Sequence, residues 1–134
     1  MASNIEILQP AGWPRPRGYS NGLAARGKQI FISGMIGWEP DGVFRAKDFA
    51  GQVRQALANI VEVLAEAGAG PEHIVRMTWY VVDKRVYVAS YEDIGKAYRE
   101  IIGRHFPAMT AVQVAGLVED EAQVEIEVTA VIPD

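Results

Sequence analysis

The stretch "KQIFISGMI", residues 28–36, has apolar side chains at both parities: Ile30, Ile32 and Ile36 on one, Phe31 and Met35 on the other. Successive side chains of a strand point to opposite faces of its sheet. A sheet covered by helices on one side only should read apolar on that face and polar on the other. The pattern repeats near the C-terminus, where Met109 and Ala111 share one face of "MTAVQV" and Val112 and Val114 take the other. A second apolar face needs a second cover, most simply another copy of the chain. The reading is therefore a homo-oligomer.

The rest of the chain supplies the helices. Phe49, Val53, Leu57, Ile60, Val61 and Leu64 recur at three- and four-residue spacing, which predicts an amphipathic helix between an Asp48 N-cap and Gly68. A second helix is expected from Ser90, with Asp93 completing a capping box, an apolar stripe of Ile94, Tyr98 and Ile101, and Pro107 as its stop. Strands are expected at 4–8, 73–83, 109–117 and 122–132. "LAARG" followed by "KQIFISGMIG" reads as a hairpin turning at Gly27. "GWPRPRGYSNG" (12–22) reads as loop and "WEPDGVF" (38–44) as a Pro-Asp-Gly turn. The order ββ(β)–α–β–α–β–β is an α+β arrangement, one sheet with two helices on it.

Length and composition narrow the function. The chain has 134 residues, suited to one domain over 1–134, and is 49% hydrophobic, enough for a core. It has no cysteine, which excludes disulfides, thiol nucleophiles and zinc–thiolate sites. No apolar run approaches a membrane span and no basic-then-apolar leader is visible, so the expected place is the cytoplasm. The net charge is −4, and the nearest thing to a basic patch, Arg15, Arg17, Arg26 and Lys28, is broken by glycine and proline. No nucleic-acid partner is expected. His73 and His105 stand alone, without Glu or His at ligand spacing, so no metal is expected.

Three features carry possible chemistry. Glu125 and Glu127 in "VEIE" share one strand face, opposite Val124, Ile126 and Val128. They are either solvent charges or, if that face borders an oligomer cleft, one of them is a general acid or base. Tyr19 lies in a glycine-flanked loop, where it offers a hydrogen bond and an aromatic wall. Ser33 precedes Gly34 at the end of the central strand and, lacking a histidine base, would position a water or a carbonyl rather than act as a nucleophile.

Five segments, "GYSNGLAARGKQIFISGMIG", "QVRQALANIVEVLAEAG", "IVRMTWYVVD", "PAMTAVQVAGL" and "VEIEVTAV", together resemble the Rid family. These are the YjgF-type reactive-intermediate deaminases, also known as translation inhibitor or endoribonuclease proteins. The resemblance runs through nearly the whole chain in order. It implies a chorismate-mutase-like α+β fold, a single mixed sheet with two helices packed on one face. It also implies a homotrimer with intersubunit clefts and hydrolysis of small-molecule imines or enamines to a ketone and ammonia without any cofactor. By the same resemblance Glu125 is the carboxylate near the catalytic water, and Tyr19, Ser33, Gly34, Met35, Met109 and Ala111 contribute to substrate binding.

The sequence departs from the family pattern at three places. Gly95 stands where archetypal members carry asparagine, Met35 where many carry glutamine, and Met109 where they carry the arginine that binds the substrate α-carboxylate. An arginine fork grips a carboxylate through charge-assisted bonds worth roughly 1.5–3 kcal/mol each. Methionine has no donor, and a carboxylate buried against it would be desolvated without a partner. The expected loss is about two orders of magnitude or more, on the order of 3 kcal/mol. Activity of the 2-iminobutanoate/2-iminopropanoate type is therefore expected to be weak or absent. Arg15, Arg17 or a neighbouring subunit would have to supply a substitute anchor, or the substrate is less polar, an aminomuconate-like enamine being one class. The alternative is a non-catalytic small-molecule-binding or regulatory trimer. A ribonuclease is disfavoured by the acidic balance and the lack of a histidine acid/base pair.

Overall fold

The computed structural model describes residues 5–134. Its longest helix, α1 (Phe49–Glu66), forms where the apolar spacing placed it. Asp48 caps it, accepting from the Gly51 amide at 3.3 Å, and Gly68 closes it by donating to the Ala65 carbonyl at 3.0 Å. Phe49, Val53, Leu57, Ile60 and Leu64 are all buried, while Val61 packs at the margin. Two buried polar residues on α1 tie down neighbouring chain. Gln52 donates to the Ala46 and Glu121 carbonyls and accepts from the Gln123 amide. Asn59 donates to the Ile36 and Trp38 carbonyls at 3.2 and 2.8 Å.

The second helical region differs from expectation. Asp83 caps an additional short helix, α2 (Lys84–Ala89), by accepting from the Arg85 and Val86 amides. Ser90 belongs to its end: the hydroxyl donates back to the Val86 carbonyl at 2.7 Å. It also stands at the N-cap position of α3 (Tyr91–Ile101), as expected, but with its hydroxyl turned back it makes no side-chain cap and no capping box forms. That helix ends at Gly103, ahead of Pro107, with the Gly103 amide on the Tyr98 carbonyl. No helix of the described residues is long and apolar enough to cross a membrane.

The main sheet has four strands, β3 (Gly27–Ile36), β4 (Ile74–Val81), β5 (Ala108–Gln113) and β6 (Val124–Pro133), in the order β3-β6-β4-β5. Only the β4–β5 pair is parallel. The core lies between one face of this mixed sheet and the helices: Ile32, Met77, Trp79, Val81, Val124, Ile126, Val128 and Ala130 meet the apolar stripes of α1 and α3. The fold is thus α+β with a mixed sheet and three helices rather than two.

The hairpin expected at Gly27 is absent. The strands β1 (Ile5–Ile7) and β2 (Leu23–Ala25) pair only with each other, and position 4 of the expected first strand lies outside the described residues. Gly27 has φ 146°, a conformation that side-chain-bearing residues avoid, and it opens β3 by pairing with Pro133 instead of folding β2 onto β3. Upstream, Ser20 is bridged to Ala108 on the far edge strand. The chain from 20 to 27 must therefore cross the sheet from one edge to the other. The ribbon lies over the open face, leaving a groove of about 460 Å³ lined by Leu23, Ala25, Val75, Thr129 and Val131.

The doubly apolar reading of β3 is corrected in part. A β-bulge interrupts the β3–β6 register between Ile32 and Met35: Ile32 pairs with Val128 and Met35 with Ile126, so Ser33 and Gly34 together oppose Glu127. The extra residue turns Met35 onto the helix side, where it packs against the core with Ile32. Phe31 and Val112 remain as exposed apolar side chains, Phe31 at 72%. Phe31 pairs with Thr129 and Val112 with Tyr80, both on the face that the helices leave open.

Candidate active site

Two groups of the expected site residues come together, on opposite faces of the sheet. The first is on the open face. Glu125 and Glu127 project there because Val124, Ile126 and Val128, which alternate with them, are fully turned into the core. Glu125 is half-buried and Glu127 exposed. The bulge brings Ser33 and Gly34 beside them. A Cβ built on Gly34 would overlap the carboxylate of Glu125, so the absence of a side chain at 34 is what makes room for that carboxylate. Ser33 is exposed at the same bulge. Among the described residues no hydrogen bond or ion pair engages the Glu125 carboxylate.

Tyr80, which sequence reasoning did not single out, belongs to this group. It sits directly across from Glu125 in the β4–β6 register, and its hydroxyl donates to Glu127 Oε1 at 2.6 Å. That hydrogen bond, then desolvation, then the charges of Glu127 and Glu125 hold its phenol above the ordinary tyrosine range. The signal was present in the alternation of "MTWYV": Met77, Trp79 and Val81 are buried, which sends Thr78 and Tyr80 to the open face. A groove of about 180 Å³ continues from Glu127 past Thr78, Arg76 and Phe31.

The second group is at the edge strand. Met109 pairs with Met77 and Ala111 with Trp79, so both stand on the helix side of β5. Met109 is half-buried against the core, and Ala111 is exposed. Tyr19 is held close by its neighbour: Ser20 Oγ donates to the Phe106 carbonyl at 2.5 Å, and the Ser20 amide to the Pro107 carbonyl at 2.9 Å. The turn they grip is itself fixed, since Tyr98 donates to the His105 carbonyl at 2.5 Å and stacks on Phe106. Beyond Ala111 the wall is aromatic, with Trp79 next to Tyr87 and Tyr87 next to Tyr91. The Trp79 indole N–H is buried without a hydrogen-bond partner. Met35 is on the helix side too, but on β3, at the opposite edge of the sheet from Met109.

Arg15 and Arg17 are exposed and make no ion pair among the described residues. Gly95 lies on α3, with only the end of Arg99 within reach of an added Cβ. Both histidines have structural partners: His73 Nδ1 accepts from the Gly70 amide, and His105 Nε2 lies 2.6 Å from the Ile74 carbonyl. Among the described residues no group of three or more His, Cys, Asp or Glu side chains could hold a metal ion.

Comparison with known proteins converges on one family. The sequence model described as endoribonuclease L-PSP matches residues 14–132. A RutC family protein of Synechocystis is 33% identical over 132 residues, covering 96% of this chain and 98% of that protein. The protein named 2-iminobutanoate/2-iminopropanoate deaminase in Homo sapiens is 31% identical over 105 residues, 78% of this chain and 73% of its own length. Among solved structures, the Rid family protein YyfB of Yersinia pestis superposes with a TM-score of 0.85 at 30% identity, over 96% of this chain and 99% of its own. RidA from an Antarctic Psychrobacter gives 0.68 at 26% identity, over 95% and 99%. With a bulged mixed sheet, helices on one face, and a match that spans nearly the entire sequence, this chain belongs to the Rid (YjgF-type) family.

Proposed function

We propose that the chain is a cofactor-independent imine/enamine hydrolase, working as a homotrimer, whose substrate is not anchored by a carboxylate at position 109. The observation that carries this reading is Glu125: a half-buried carboxylate, unengaged by other described side chains, seated in the hollow that Gly34 leaves. A carboxylate so placed can take a proton from a water that attacks an imine carbon. Similarity to deaminases named for 2-iminobutanoate and 2-iminopropanoate in human and cattle supports the reaction class.

The placement of the two groups supports an assembly of copies, which we take to be the trimer. Glu125, Tyr80 and Val112 form one row across the sheet, and Met109 is three residues further along β5. At strand spacings of about 4.8 Å and rises of about 3.3 Å, Glu125 and Met109 are roughly 14 Å apart, and they face opposite ways. A small molecule touches both only if the edge of one copy meets the open face of another. Exposed Phe31 and Val112 give that open face its apolar contact. Light scattering at micromolar concentration should give three times the chain mass, and a monomer would sink this part of the reading.

The substrate follows from Met109. Its thioether offers no donor to a carboxylate and joins an uncharged wall with Ala111, Trp79 and Tyr87. We expect 2-iminopropanoate and 2-iminobutanoate, made in situ by serine and threonine dehydratase, to be accelerated little. Every 2-imino acid carries that carboxylate, so among them those with a large apolar side chain, made by an amino-acid oxidase from leucine or phenylalanine, should be accepted better, because the apolar wall holds the side chain while the carboxylate goes unanchored. Met109→Arg should raise turnover of 2-iminobutanoate by about two orders of magnitude, the equivalent of roughly 3 kcal/mol. The long side chain can leave the edge strand and carry its head to the cleft. Wild-type turnover of 2-iminobutanoate as fast as that of an arginine-bearing relative would refute the reading of Met109. A ligand bound but never consumed would favour the binding-protein alternative. RNA cleavage is disfavoured by the structural employment of both histidines.

A further inference from the structure

We propose that Tyr80 is the residue that positions the attacking water, and that Glu127 acts as its lock by holding the phenol proton away from Glu125. The inference rests on the imine-hydrolysis reading and deepens it. Tyr80 and Glu125 are directly opposed on one face, which brings their Cβ atoms to about 4.5–5.5 Å. A phenol has one proton to donate. Here it is committed to Glu127 Oε1 at 2.6 Å. The Tyr80 oxygen therefore meets its surroundings as an acceptor, on the same face as a second acceptor, the unengaged carboxylate of Glu125, whose charge acts on the phenol. A water between them donates one hydrogen to each and is left with a lone pair directed outward. Without Glu127 the phenol would turn and donate to Glu125, occupying the carboxylate that the water needs. An ordinary phenol keeps its proton throughout the neutral range, and the bond to Glu127 only tightens that hold.

The chemistry balances with these groups alone. The water oxygen bonds to the carbon of a protonated imine as the C=N π pair moves onto nitrogen, and Glu125 takes a water proton. Glu125 then returns that proton to nitrogen. The C–N bond breaks, ammonia departs, and the remaining hydroxyl proton is lost as the carbonyl forms and is taken up by the ammonia. Tyr80 makes and breaks no covalent bond; it fixes where the water stands.

The test is steady-state turnover of the imine produced by an amino-acid oxidase from leucine, with wild type, Tyr80→Phe, Glu127→Val, Glu127→Gln and the Tyr80→Phe/Glu127→Val pair. Phenylalanine keeps the ring and the strand contacts. We expect Tyr80→Phe to lower kcat about tenfold, the worth of one lost hydrogen bond to the water, with KM held within about twofold. Glu127→Val should lose as much, and the double variant no more than either single one, because both remove the same water site. Glu127→Gln retains an oxygen acceptor for the phenol and should recover most of what Glu127→Val loses. Full kcat in Tyr80→Phe, or additive losses in the double variant, would overturn the role of Tyr80 and leave imine hydrolysis standing. A wild type that hydrolyses no imine while Tyr80→Phe is equally inert would overturn both together.

Discussion

The contact between Gly34 and Glu125 can be tested without knowing the substrate. Gly34→Ala places a methyl group where the Glu125 carboxylate lies, and the three atoms it would meet are all in that side chain: Cγ, Cδ and Oε2. Two responses are open. The backbone of β3 can shift, an overpacking response that costs typically 1–3 kcal/mol. Alternatively Glu125 can swing to a less favourable rotamer, at about 0.5–1.5 kcal/mol. Its carboxylate is half-buried, so the swing is the cheaper response and should win. At about 2.1 cal/mol/K per residue, a 134-residue domain loses roughly 3–4 °C in Tm for each kcal/mol. Gly34→Ala should therefore lower Tm by about 2–5 °C.

The stronger check is a double-mutant cycle measured by urea unfolding. Glu125→Ala removes the very atoms that Gly34→Ala would strike. In the Glu125→Ala background, Gly34→Ala should cost close to nothing, a coupling of about 1 kcal/mol. Equal costs in both backgrounds would show that the methyl strikes something other than Glu125 and would refute the account of why this position is glycine. If Glu125 is the proposed acid, turnover of whichever imine the wild type accepts should fall with Gly34→Ala by more than the stability change suggests, since the swing moves the carboxylate from its seat against Gly34.

Two further predictions concern the frame around the site. Burial holds the Tyr98 phenol far above its ordinary range, so the stability it contributes is complete below a pH of about 10 and is lost as the pH climbs from there toward its folded-state value. Tyr98→Phe should cost about 1 kcal/mol near neutrality by removing the bond to the His105 carbonyl, and its unfolding profile should then fall less steeply than wild type above a pH of about 10; parallel profiles would refute the assignment. Ser20→Ala should cost roughly 0.5–1.5 kcal/mol and raise amide exchange at Ser20 and through 108–110, because one hydroxyl joins the Tyr19 loop to the turn that leads into β5; unchanged exchange would show that the backbone bridge alone holds the loop.

Periodicity located α1, β4 and β6 because each buries a full stripe or face, and a buried stripe leaves its period in the sequence. It failed where structure depends on partners rather than period. Lys84–Ala89 is too short to show a helical stripe, so the pattern gives the start of α3 at Ser90 but not the helix that the Ser90 hydroxyl turns back to close. The Gly27 hairpin was a local reading of a residue whose conformation serves a distant pairing, with Pro133. The bulge at Ser33 and Gly34 was invisible for the same reason: a bulge is a relation between two strands, and only register against β6 shows it. That bulge also explains why β3 looks doubly apolar, since a one-residue slip moves Met35 from the face of Phe31 to the face of Ile32.

The residues of the candidate site can be proposed from the sequence, but their arrangement cannot be read from it. Residue chemistry points to Glu125 or Glu127, Tyr19 and Ser33, and the resemblance narrows the acid to Glu125 and adds Gly34, Met35, Met109 and Ala111, but nothing in the one-dimensional pattern tells which face of β5 the helices cover. Register decides it: pairing Met109 with fully buried Met77 puts the thioether on the core side, while pairing Tyr80 with Glu125 puts the acid on the other. The consequence reaches the meaning of Met109 itself. On a helix-covered face at an edge strand, Met109 packs against the core, and in the proposed trimer it would also front the cleft, so an exchange at this position would change packing and recognition together. An arginine at 109 would give up the contacts with the core in exchange for a charge at the cleft. Met109→Arg should consequently lose stability, by roughly 1–3 kcal/mol if the guanidinium reaches water, even as it gains turnover of small imino acids. Gain of turnover with loss of Tm is the signature of a residue that serves both layers. A variant that gained turnover at no cost in Tm would mean that position 109 faces only the cleft, and the edge-to-face arrangement of two copies would have to be drawn again.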